Sequence, residues 1–112
     1  MLNKMTKKLF SQKWQKFSVA DSLNLESLLD ESEIEIMNSA REFCQSTLFP
    51  NITENYRKSH FDKSIMKKMG EMGFFGCTMT EYDGSGVSHT AYGLINREVE
   101  RVDSSYRSAF SV

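Results

Sequence analysis

The sequence predicts an all-α fold, and three observations predict it. Apolar residues recur at helical spacing over three stretches, a cap-forming residue stands ahead of each, and Pro50 is the only proline in 112 residues. There is no internal repeat and no low-complexity tract. The expected body is therefore three or four helices with short connections, a small or partial bundle.

The first helix is expected to begin near residue 31. The string DESE at 30–33 reads as a capping box, with Asp30 or Ser32 near the cap and Glu33 placed to reach back. The acids also suit the positive end of a helix dipole. Through residue 48, Ile36, Met37, Ala40, Phe43, Cys44 and Leu48 fall on about half of the helical circumference, with Glu35, Asn38, Glu42 and Gln45 facing away. Pro50 lacks a backbone donor and disfavours helical geometry at Phe49, so a kink or break is expected before the segment NITENYRK.

Asp62 can cap a short helix in which Phe61, Ile65, Met66, Met69 and Met72 share a face and Gly73 marks the end. Its methionines read as gap-filling core residues. FFGCTMTEYDGSGV, residues 74–87, joins an apolar run to a Gly-Ser-Gly turn and is expected to be a loop. Its G-x-G belongs to no phosphate-binding fingerprint. Ser88 caps the best-patterned helix, where Ala91, Tyr92, Ile95, Val99 and Val102 fall within about 100° of arc and Arg97, Glu100 and Arg101 point the other way. Asp103 then opens a last helix containing Tyr106, Arg107 and Ser108.

Charge is unevenly spread. Lys4, Lys7, Lys8, Lys13 and Lys16 lie in residues 1–20 with no acid among them, so the rest carries nine of the fourteen bases against all fifteen acids. The mildly acidic body excludes a nucleic-acid footprint. The first twenty residues have the composition of a mitochondrial presequence, with Lys where Arg is usual, and a presequence is expected over 1–20. In helical projection Leu2, Met5 and Leu9 form one apolar face, and Phe10, Trp14 and Phe17 a second. No apolar run approaches the length that spans a bilayer as a helix.

Few residues suggest chemistry by themselves. Cys44 and Cys77 match no metal or redox spacing and read as free thiols. His60 and His89 have no ligand-forming neighbour three or four residues away. Lys63, Lys67 and Lys68 read as a solvated face, and Glu98 and Glu100, pointing apart on their helix, as surface charges rather than a catalytic carboxylate pair. No metal site is expected. Arg107 and Ser108 stand out because they fall in the first two turns of a helix, where the field favours anions and a guanidinium beside a hydroxyl can grip a carboxylate. Composition alone reads Arg107 as solvent-facing.

Taken together, KMGEMGFFGCTMTEYDGSGVS followed by TAYGLINREVERVDSSYRSAFSV resembles the N-terminal helical domain of the acyl-CoA dehydrogenase superfamily, and within it most nearly the glutaryl-CoA dehydrogenases. The resemblance covers about residues 21 to 112 and is specific from MKKMGEMG onward, with YGLINREVERVDSSYRSAFSV its strongest part. It implies domain boundaries of 1–20 for the presequence and 21–112 for the helical domain, ending ahead of a β domain. It also implies FAD as cofactor, glutaryl-CoA as substrate with crotonyl-CoA and carbon dioxide as products, and electron-transfer flavoprotein as partner. A homotetramer in the mitochondrial matrix, serving lysine and tryptophan breakdown, is the implied setting. Arg107 and Ser108 match the pair that contacts the far carboxylate of the glutaryl chain. The flavin-contacting domain and the catalytic glutamate have no counterpart here, so the 112 residues alone are expected to be inactive and to bind no FAD. The alternative expectation is a non-catalytic helical interaction module derived from the same domain.

Overall fold

The computed structural model describes residues 17–82 and 84–111. Among them the fold is all-helical, with no strand. The presequence expected over 1–20, with its two apolar faces, lies for residues 1–16 outside the described residues. Phe17 and Val19, which are described, are exposed.

A short 3-10 turn, Leu25–Leu28, precedes α1, Glu31–Phe43. The expected capping box is present: the Glu33 N–H donates to Asp30 Oδ1 at 2.8 Å, and the Asp30 N–H donates to Glu33 Oε2 at 3.3 Å. Met37, Ala40, Cys44 and Leu48 are buried along one face, as the periodicity requires.

The approach to Pro50 is smoother than the sequence suggests. The helix widens into a π turn over Cys44–Leu48, in which the Phe49 N–H reaches the Cys44 carbonyl, and tightens into a 3-10 turn over Phe49–Asn51 before α2, Ile52–Arg57. Phe49 itself stays right-handed helical (φ −62°, ψ −41°), although the following proline disfavours that geometry. A π turn shifts the hydrogen-bond register by one residue, so the proline's missing donor falls where no regular bond is demanded.

α3, Ser64–Glu71, starts where Asp62 accepts the Ser64 N–H at 2.9 Å. It ends in a Schellman motif, with Phe74 N–H on the Met69 carbonyl, Gly73 N–H on the Gly70 carbonyl, and Gly73 left-handed at φ +71°. Ile65 and Met69 are buried, whereas Met72 is 39 % exposed and leaves the core face assigned to it, because the chain turns at Gly73. After the 74–87 loop come α4, His89–Glu100, and α5, Ser104–Ser111.

α1 packs along α4, and α4 against α5. Cys44, Leu48, Ile65, Met69, Phe74, Ile95, Val99, Tyr106 and Phe110 form the common core. Phe74 meets both Phe43 and Phe110 edge-on at ring separations of 5.4 and 6.1 Å, an arrangement that suits the aromatic quadrupole. No described helix is long and apolar enough to cross a membrane.

Candidate functional site

Arg107 sits in the first turn of α5, whose start is fixed by Asp103 accepting the Ser105 N–H at 2.8 Å. Tyr106 and Phe110, the buried residues on either side, pin α5 into the core and turn Arg107 outward beside the end of α4. There Arg107 Nε donates to Glu100 Oε2 at 3.0 Å and Nη1 donates to Ser111 Oγ at 3.2 Å. Hydrogen bonds from Ser104 and then from Arg107 hold the Glu100 carboxyl below its usual pKa, so it stays anionic at neutral pH.

These groups line an open groove of about 620 Å³ with Tyr92, Gly93, Asn96 and Arg97. Asn96 turns its amide nitrogen to the Tyr92 carbonyl at 2.9 Å, while its buried Oδ1 has no hydrogen-bond partner among the described residues. Ser108 does not line the groove; it is exposed and its side chain forms no hydrogen bond among the described residues. The two sequence-nominated residues are thus separated: Arg107 faces the groove and Ser108, about 100° further round the helix, does not.

A second charged cluster was missed. Glu98 is 1 % exposed, which overturns its reading as a surface charge. Arg41 reaches it from α1 through Nε and Nη2, both at 3.3 Å, Arg97 through Nε at 3.2 Å and Nη2 at 3.1 Å, and Arg101 through Nη1 at 3.3 Å. Glu26, from the 3-10 turn, completes the network against Arg41 and Arg97 at 3.6 and 3.8 Å. Burial pushes the Glu98 carboxyl upward, but the Arg41 and Arg97 hydrogen bonds and the Arg101 charge outweigh burial and hold it below the usual range. A visible signal existed: Glu98 falls one residue before Val99 and three after Ile95, on the edge of the apolar face.

The remaining chemistry is quiet. Cys44 and Cys77 are free and buried. Burial, helped by the Glu98 charge, pushes the Cys44 thiol up to about 12, and burial raises Cys77 as well. Neither is a nucleophile near neutral pH. His60 and His89 are exposed, and no group of three or more metal-binding side chains occurs among the described residues.

The glycine-rich loop turns tightly on itself: a Cβ at Gly84 would lie 2.2 Å from the Met79 carbonyl oxygen, so only glycine fits there.

Against known sequences, residues 30–112 match the model of the family described as Acyl-CoA dehydrogenase, N-terminal domain. A 3-(aryl)acrylate reductase of Clostridium sporogenes is 39% identical over 67 residues, covering 59% of this chain and 18% of its own length. The mitochondrial short-chain specific acyl-CoA dehydrogenase of Bos taurus is 28% identical over 74 residues, covering 65% of this chain and 18% of its own length. The chain matches less than a fifth of the length of either relative, and neither is a glutaryl-CoA dehydrogenase.

Proposed function

This chain belongs to the acyl-CoA dehydrogenase N-terminal domain family, and from that premise we propose that it is the N-terminal helical part of an FAD-dependent dehydrogenase acting on glutaryl-CoA. The oxidoreductase class follows from the family. The choice of a carboxylate-ended acyl chain rests on one observation: Arg107 presents a guanidinium to an open groove while Glu100 occupies only its Nε edge.

The physical case is a matter of compensation. A carboxylate entering a pocket shaped for hydrocarbon loses hydration worth several kcal/mol unless something replaces it. Charge-assisted hydrogen bonds of about 1.5 to 3 kcal/mol each offset much of that loss. Arg107 supplies such bonds in forked geometry. Ser108 is proposed as a neighbouring hydroxyl on the strength of the resemblance alone, since it does not line the groove.

In this reading the cofactor is held by the rest of the intact protein, and when bound it accepts hydride from the acyl chain. This domain's part is to place the acyl chain by its far end. Decarboxylation to crotonyl-CoA, electron transfer to electron-transfer flavoprotein, assembly as a homotetramer and residence in the mitochondrial matrix behind a presequence over 1–20 belong to the same proposal. A mitochondrial relative supports the last of these.

The test is substrate discrimination in the intact protein. Arg107→Ala should lower kcat/KM for glutaryl-CoA by about tenfold to a hundredfold more than for butyryl-CoA, the loss expected for one or two charge-assisted hydrogen bonds. Equal losses on both substrates would remove the carboxylate-binding assignment.

A further inference from the structure

We propose that Ser111 is the groove-side hydroxyl that completes the carboxylate anchor beside Arg107. The inference rests on the reading of Arg107 as the cation that meets the far carboxylate of an acyl thioester. Residues four apart share a helix face, whereas adjacent residues are turned apart by about 100°. Arg107 and Ser111 accordingly both line the groove and are joined by the 3.2 Å bond from Nη1 to Ser111 Oγ, while Ser108 lies outside it.

The hydrogen-bond directions give the argument its content. Glu100 Oε2 occupies the Nε edge of the guanidinium at 3.0 Å. The end formed by Nη1 and Nη2 faces no acid among the described residues, and Ser111 flanks it on the Nη1 side. Ser111 acts there only as an acceptor; its own O–H proton has no acceptor among the described residues. A hydroxyl donates one hydrogen bond and accepts others, so accepting from Arg107 leaves that proton available. A carboxylate taken end-on by Nη1 and Nη2 finds one more donor at Ser111, held in place by the arginine itself. Asn96, which also lines the groove, turns its amide nitrogen to the Tyr92 carbonyl.

Glutaryl-CoA and pentanoyl-CoA share a chain length and differ in the carboxylate, so their KM ratio in the intact protein reads the anchor directly. Ser111→Ala should raise KM for glutaryl-CoA about tenfold, the loss of one hydrogen bond to a charged group, and leave KM for pentanoyl-CoA within about twofold. Ser111→Thr, which keeps the hydroxyl, should restore most of the difference, and Ser108→Ala should move the ratio less than Ser111→Ala. An unchanged ratio in Ser111→Ala, with Arg107→Lys still penalising glutaryl-CoA selectively, overturns the Ser111 assignment and leaves the Arg107 reading standing. Equal losses on both substrates in Arg107→Lys overturn the Arg107 reading, and this assignment with it.

Discussion

Glu98 shows how one residue can organise a fold without joining its chemistry. Its carboxylate draws Arg41, Arg97 and Arg101 together and, through Arg41 and Arg97, the Glu26 turn. Removing one partner of a buried ion pair typically costs about 3 to 5 kcal/mol. The three arginines remain 37 to 43% exposed and can rehydrate, so Glu98→Ala should cost about 3 kcal/mol, read as a drop in denaturant midpoint, and Glu98→Gln less. The unfolded chain takes up a proton near the ordinary value of 4.5, and the folded chain only at lower pH. The unfolded state therefore binds more protons in acid, so the stabilisation is complete above 4.5 and fades as pH falls toward the folded value. Thermal melts below pH 5 should show a shallower loss in Glu98→Gln than in the wild type; identical slopes would discount the cluster. Arg107, singled out through the resemblance, lines the groove, whereas the sequence pattern misjudged Glu98, because periodicity reports which face a residue is on and not how many cations arrive from another helix.

At the scale of elements, Glu33 links two helix starts. Its Oε2 accepts the Asp30 N–H at the head of α1, and its Oε1 accepts the Ser88 hydroxyl at 2.7 Å, while Ser88 caps α4 by accepting the Ala91 N–H at 3.0 Å. A cap is worth about 1 kcal/mol. Glu33→Ala and Ser88→Ala should therefore each destabilise by about 1 kcal/mol, and together by less than their sum, with a coupling of about 0.5 kcal/mol or more in a double-mutant cycle. Strict additivity would mean that the 2.7 Å contact contributes nothing. Both caps were legible in the sequence because Asp, Ser and Glu at fixed offsets carry a local mechanism. Their mutual contact, 55 positions apart, was not, since only the α1–α4 packing brings them together. The π turn before Pro50 escaped for a related reason: proline forbids a bond, and the sequence does not say how the helix will reroute around it.

For the whole molecule, the all-α fold and most of the helices could be read from apolar periodicity, since α1 and α4 bury residues of the face that their spacing defines and α3 buries Ile65 and Met69 of its own. The arrangement of the site was less accessible. Arg107 and Ser108 are neighbours in sequence but not on the helix surface, and the groove draws Glu100, Arg107 and Ser111 from two helices. Phe75, Met79 and Tyr82 remain 39, 48 and 92% exposed around the glycine-rich loop, an apolar surface unusual for an isolated small domain. In the proposed division of labour the rest of the intact protein holds the cofactor, so the 112-residue chain purified alone should show no flavin absorbance; stoichiometric FAD would contradict that proposal. The central claim, that this domain selects a carboxylate-ended acyl chain, is tested most directly by kcat/KM of the intact protein for glutaryl-CoA against pentanoyl-CoA. The account predicts a preference for glutaryl-CoA of about tenfold or more, as one or more charge-assisted hydrogen bonds require; equal use of the two substrates, or a preference for pentanoyl-CoA, would contradict it.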